Sequence, residues 1–127
     1  MPKRAISSDQ APAAIGPYSQ AIASGDFLFL SGQIPLDPKS GKVVSGSIED
    51  ETRRVMENLS AVLAAANATC DDLVKTTIYL IDMDHFAAVN EVYATYFSAT
   101  PPARATVQVA ALPKGVRVEI DGIARLG

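Results

Sequence analysis

Arg104 and Glu119 are the residues of this chain whose types and spacing best suit chemistry. Arg104 opens the run Arg104-Ala105-Thr106-Val107-Gln108-Val109, and Glu119 sits inside Val116-Arg117-Val118-Glu119-Ile120-Asp121. Both runs alternate, and successive side chains of a strand leave opposite faces of the sheet. Arg104, Thr106 and Gln108 thus share one face of their strand, and Arg117, Glu119 and Asp121 share one face of theirs. A guanidinium presents paired donors that match a carboxylate. Two such bonds, at ~1.5–3 kcal/mol each, suit a small acid held at roughly micromolar to millimolar strength. A partly buried carboxylate can move protons as general acid or base, worth about 10²–10⁴ in rate.

Each residue also has a structural reading. Arg104 can pair with Glu119 or Asp121 inside the fold, and Glu119 can be a satisfied partner in an interface. Tyr18 and Ser31 bracket a hairpin and offer hydroxyls, and Asn90 interrupts an apolar helix face; taken singly, each reads as structural. The single His85 falls in a helix's first turn and reads as a surface residue, and the single Cys70 reads as a packed thiol. One His and one Cys cannot furnish a zinc set, and no acidic cluster has calcium-loop spacing. The glycines form no phosphate-binding loop, and one His allows no Ser-His-Asp arrangement.

The elements that must position these residues follow from periodicity. Residues 1–17 read as an irregular arm punctuated by Pro2, Pro12, Gly16 and Pro17. Ser19 to Ala23 and Phe27 to Ser31 predict a hairpin around Ser24-Gly25-Asp26, and the unbroken Phe27-Leu28-Phe29-Leu30 predicts a strand covered on both faces. Ser47 starts a helix with Ile48, Val55, Leu59, Val62 and Ala66 on one stripe, and Asn67 stops it. Leu73 to Leu80 predicts a strand. A second helix begins at Asp82 or Asp84, carries Phe86, Val89, Tyr93, Tyr96 and Phe97, and ends at Thr100-Pro101-Pro102. Two strands follow. The expected order is β-β-α-β-α-β-β, an α+β mixed sheet with two helices on one face. The other face is expected to carry Arg104, Thr106 and Glu119 and to be left wet or covered by another copy of the chain.

Bulk composition narrows the function classes. The chain has 127 residues, 48% hydrophobic and 20% charged, which suits one domain with a real core. Eleven basic against fourteen acidic residues give a net charge of −3, with no basic stripe, so nucleic acid and anionic membrane surfaces are disfavoured partners. One cysteine excludes an internal disulfide and fits a reducing compartment. No apolar stretch follows the first basic residues, and no run approaches the ~20 residues of a membrane span; the expectation is a cytoplasmic protein.

Four segments carry a resemblance: Gly16-Pro17-Tyr18-Ser19-Gln20-Ala21, Leu30-Ser31-Gly32-Gln33-Ile34-Pro35, Val89-Asn90-Glu91-Val92-Tyr93, and Pro101-Pro102-Ala103-Arg104 continuing to Val118-Glu119-Ile120. On these the chain closely resembles the reactive-intermediate deaminases, the Rid (YjgF-type) family, over nearly its whole length. The resemblance implies one Rid-type domain over residues 1–127, a chorismate-mutase-like fold, and a homotrimer with a central β-barrel and sites in the clefts between subunits. It implies hydrolysis of 2-enamino or 2-imino acids, such as 2-aminoacrylate, 2-iminopropanoate or 2-iminobutanoate, to 2-oxo acids and ammonia, without cofactor or metal. The substrates would come from pyridoxal-phosphate dehydratases. Arg104 would clamp the carboxylate, Glu119 would position water and move protons, and the Gly32 backbone would orient the ligand. Tyr18, Ser31, Asn90 and Thr106 would line the pocket. Many members carry a cysteine where this chain has Thr106, so a thiol role there is absent. The competing reading is a non-catalytic trimer that binds 2-oxo acids and regulates a partner. A ribonuclease activity, attached to some relatives, is disfavoured by the acidic balance.

Overall fold

The computed structural model describes residues 2–127. The strands are β1 (Arg4–Ile6), β2 (Ala21–Ser24), β3 (Phe27–Gln33), β4 (Leu73–Leu80), β5 (Ala103–Gln108) and β6 (Val118–Arg125), and the helices are α1 (Ile48–Ala65) and α2 (Phe86–Ala94). The strands form one mixed sheet in the order β1-β2-β3-β6-β4-β5. Only β4 and β5 run parallel, joined by the crossover that contains α2. The α+β architecture is the expected one, with β1 added at its start.

α1 forms where the sequence places it. Ser47 Oγ accepts from Asp50 N at 3.1 Å, and Glu49, Asp50 and Glu51 occupy the positive end of the helix. Asn67 adopts φ 59°, a left-handed conformation that Asn tolerates better than most residues, and the helix stops just before it. Val55, Met56, Leu59, Val62 and Leu63 of α1 are fully buried, as are Leu28 of β3 and Val118, Ile120 and Ala124 of β6 across from them. This layer is the core. Asn58 is buried within it, yet satisfied: its amide donates to the carbonyls of Ile34 and Leu36 and so ties the loop after β3 to α1.

Several expectations change. The N-terminal arm is not irregular throughout, because Arg4–Ile6 pairs with β2, a strand too short for its alternation to register; Met1, its first residue, lies outside the described residues. Buried Gln20 fastens the rest of the arm: its Oε1 accepts from Ser8 N at 2.6 Å and its Nε2 donates to the carbonyls of Ser8 and Pro12. The second helix starts later and ends earlier than expected. Asp82 caps a 3-10 turn over Met83–His85, and the α-helix proper begins at Phe86. It ends at Ala94, well before Pro101, because the Thr95 hydroxyl bonds the Val92 carbonyl and the Asp71 carboxylate takes both the amide and the hydroxyl of Ser98. Side chains there compete with the backbone ladder for its groups. The last strand begins at Val118 rather than Val116. β3 is covered on one face only: Leu28 and Leu30 are buried, whereas Phe27 and Phe29 are 40% and 46% exposed.

Candidate functional site

Sheet register decides which side chains can meet. In the β4–β5 ladder Thr76, Ile78 and Leu80 stand beside Arg104, Thr106 and Gln108. Thr76, Ile78 and Leu80 are buried beneath the helices, so Arg104 and Thr106 point to the helical side. In the β4–β6 ladder Tyr79 stands beside Glu119 and Thr77 beside Asp121, and the Tyr79 hydroxyl donates to Asp121 Oδ2 at 3.0 Å. Glu119 therefore leaves the opposite, open face. The expectation that Arg104, Thr106 and Glu119 share one face is wrong. Alternation within a strand says which of its residues go together, but only the pairing register says which face that is.

Arg104 lies on an edge strand in a frame built by α2. Its Nη1 donates to Asn90 Oδ1 at 2.6 Å, and its guanidinium carbon lies 5.4 Å from the Phe86 ring centre and 5.3 Å from that of Tyr93. Phe86, Asn90 and Tyr93 recur at helical spacing, so one face of α2 presents all three. The Tyr93 ring is fixed in turn: its hydroxyl bonds Thr76 Oγ1 at 2.6 Å, its ring meets Phe97 at 4.8 Å, and burial pushes the phenol's pKa up. All these partners of Arg104 are neutral, and the ion pairs among the described residues, Arg53–Asp50 and Arg117–Glu51, do not include it. The intramolecular pairing with Glu119 or Asp121 is absent. A cavity of about 290 Å³ lined by Asn90, Tyr93, Ala94, Phe97, Pro101 and Arg104 opens beside the guanidinium. The Thr106 hydroxyl, next along this strand face, is shielded from solvent and has no protein partner among the described residues.

Glu119 belongs to a second cavity, of about 480 Å³, whose lining includes Tyr18, Ser31, Gly32, Gln20, Lys114 and Glu119. Tyr18 is half exposed on its wall, and Ser31 Oγ is spent on the Ser19 carbonyl at 2.6 Å. Residue 32 must be glycine for Glu119 to stand where it does, since a β-carbon there would come within 2.9 Å of the carboxylate carbon. Burial, reinforced by the negative charge of Asp121, raises the Glu119 pKa above the usual carboxylate value. Such a group holds and releases a proton nearer neutral pH than a solvated glutamate does. The expected site residues thus fall into two sets, Tyr18, Ser31, Gly32 and Glu119 in one cavity and Asn90 and Arg104 at the other. Sequence reasoning passed over Gln20, Lys114 and the rings of Phe86 and Tyr93. The Phe86–Asn90–Tyr93 spacing was the available signal, and it reads equally well as core packing.

Among the described residues no cluster of His, Cys, Asp and Glu is arranged to hold a metal ion, and no helix is long and apolar enough to cross a membrane. Cys70 is buried, and burial raises its thiol pKa, as suits a packed side chain. His85 is half-buried with its Nδ1 shielded from solvent, not the plain surface residue expected.

The profile of the family described as Endoribonuclease L-PSP matches residues 8–126. The chain belongs to the Rid (YjgF-type) family. The mouse protein named 2-iminobutanoate/2-iminopropanoate deaminase is 50% identical over 98% of this chain and 93% of its own length. A RutC family protein of Pyrococcus horikoshii is 54% identical over 96% of this chain and 97% of its own. Among solved structures, Escherichia coli TdcF with bound serine superposes with a TM-score of 0.93 at 40% identity, covering 98% of this chain and 99% of that one. A Yersinia pestis protein of the conserved Rid family superposes with a TM-score of 0.95 at 49% identity, covering 98% and 100%. These Rid neighbours share the six-stranded α+β fold.

Proposed function

We propose that this Rid protein is a hydrolytic deaminase of short 2-imino acids and their enamine tautomers, such as 2-iminopropanoate and 2-iminobutanoate. The observation that carries this reading is Arg104: an oriented guanidinium whose partners among the described residues are all neutral, leaving its charge and several donors for a small acid. The names of relatives at about half identity support it. In the reaction water adds to the C=N carbon, the carbon–nitrogen bond breaks, and a 2-oxo acid and ammonia leave. Arg104 holds the carboxylate, while Glu119 orients the water and carries protons, a role suited to its raised pKa. The Gly32 backbone and Tyr18 bound the same cavity as Glu119. Thr106 contributes a hydroxyl rather than a thiol beside Arg104.

Because Arg104 and Glu119 face opposite sides of one sheet, a single chain does not bring both to one small molecule. A homotrimer solves this by setting the Arg104 edge of one copy against the Glu119 cavity of the next. Phe27, Phe29 and Val107 on the open face are the apolar surface such an assembly would bury. A supply of imino acids from pyridoxal-phosphate dehydratases in the cytoplasm fits this activity.

The test couples a threonine dehydratase to the protein and follows 2-iminobutanoate decay with a scavenger. Wild type should shorten the imine lifetime, and Arg104→Ala and Glu119→Ala should each abolish the gain. Subunits of the two variants, dissociated and reassembled together, should regain activity, since some clefts then combine an intact Arg104 with an intact Glu119. Failure to regain it overturns the shared site. Tight 2-oxobutanoate binding with decay at the buffer rate would favour the regulatory binding protein instead.

A further inference from the structure

The cavity beside Arg104 combines one cation with apolar walls. Arg104 and Asn90 line it on one side of the account, and Tyr93, Ala94, Phe97 and Pro101 supply the rest. Asn90 Oδ1 is engaged by the Arg104 Nη1 donor at 2.6 Å, and the Tyr93 hydroxyl is spent on Thr76, which leaves the Tyr93 ring for the cavity. The walls are fastened. Tyr96 N donates to the Tyr93 carbonyl at 3.2 Å and carries the helical turn on to Phe97, whose ring meets that of Tyr93 at 4.8 Å. Asp71 holds the segment beyond by accepting from Ser98 N at 3.0 Å, and Pro101 stiffens its return to β5. The volume, about 290 Å³, gives room for roughly ten waters at ~30 Å³ each, far more than a methyl or ethyl group displaces. Water among such walls finds few hydrogen bonds, and an apolar group that displaces it gains affinity.

We propose that this cavity is the side-chain subsite of the Arg104 site, and that it extends the substrate class to 2-imino acids with a bulky apolar side chain, held more tightly than those ending in methyl or ethyl. A cation set in apolar walls fits an acid with an apolar tail, and few precisely placed polar groups in an apolar recess are the usual make-up of a small-molecule site. The carboxylate lies on Arg104 and the side chain against Tyr93, Phe97 and Pro101. The C=N carbon that joins the two is left open to the Glu119 cavity of the neighbouring copy. Ala94, on the last turn of α2, becomes the residue whose size limits the side chain. This substrate class rests on the Arg104 reading above, and its test separates the two.

Calorimetry on the wild-type assembly compares 2-oxobutanoate with 4-methyl-2-oxopentanoate, the 2-oxo acid with an isobutyl side chain. The larger acid should bind about tenfold more tightly, because its further carbons are buried. Ala94→Leu fills the recess from an exposed position where Leu is a good helix former, so the fold is kept. It should cancel that preference. In imine decay the same order should hold: imines made from leucine by an amino-acid oxidase should be cleared in preference to those made from alanine, and Ala94→Leu should reverse the order. A crystal structure with 4-methyl-2-oxopentanoate should show the isobutyl group among Tyr93, Phe97 and Pro101. Equal affinity of wild type for the two acids, a preference that Ala94→Leu leaves intact, or an isobutyl group lodged elsewhere, including a recess filled by the neighbouring copy, overturns the subsite. Each of these leaves the carboxylate clamp standing, whereas binding of both acids that survives Arg104→Ala fails the Arg104 reading and the subsite with it.

Discussion

Arg104 and Asn90 are joined at 2.6 Å across the gap between an edge strand and a helix, and that bond sets the direction of the guanidinium. Asn90, expected to line a substrate pocket, is the acceptor for Arg104 at the edge of the cavity beside it. The rings of Phe86 and Tyr93 complete the frame, each with its centre within about 5.5 Å of the cation. Preorganised in this way, the arginine loses less side-chain freedom when an acid binds.

Replacement of Asn90 by Leu removes the acceptor and leaves the rings. A net hydrogen bond is worth ~1 kcal/mol, so affinity for 2-oxobutanoate should fall by about fivefold or more. Isothermal calorimetry measures it. Unchanged affinity would mean that the two rings alone orient Arg104.

Tyr93→Phe acts one step further back. It leaves the Thr76 hydroxyl, which is fully buried, without a partner, at a cost of ~1–3 kcal/mol to the fold. Urea denaturation should show the loss, and adding Thr76→Val should recover most of it. Equal stability of the single and double variants would contradict this account.

Gly32→Ala tests the other cavity. The new methyl group collides with Glu119, the end of a flexible side chain, so the carboxylate swings aside at ~0.5–1.5 kcal/mol rather than the sheet giving way. The variant should stay folded and bind 2-oxobutanoate, yet accelerate imine decay no better than Glu119→Ala. Full activity would place the working position of Glu119 away from Gly32.

Glu119 also predicts a pH signature. Burial, then the charge of Asp121, raises its pKa on folding, so the folded state holds the proton more tightly than the unfolded chain. That favours the fold at pH values below the unfolded pKa, and the advantage is lost as pH rises through the folded value. Glu119→Gln, neutral throughout, should therefore be more stable than wild type at about pH 7.5, with the difference shrinking toward about pH 4. Thermal melts at both values check it. A variant less stable at neutral pH would mean that the charged carboxylate gains more from its surroundings than burial takes away.

Much of the fold was legible because local rules decide it. The Ser47 cap, the apolar stripe of α1, Asn67 at its end and the β-branched run of β4 are written in consecutive residues, and each formed where the pattern placed it. β1 and the early end of α2 were not legible. One needs β2 as a template, and the other needs Asp71, distant in sequence, to capture Ser98.

The same division runs through the site. Sequence by itself determined the chemical inventory, an arginine able to grip an acid and a glutamate able to carry a proton, and the motif that places the chain in the Rid family. Only the tertiary structure decided that they leave opposite faces of the sheet, that Arg104 is held by Asn90 and two rings, and that Glu119 rests against Gly32. The physical reason is that side-chain alternation is a property of one strand, whereas facing is a property of the register between strands. Long-range pairing and helix packing set that register.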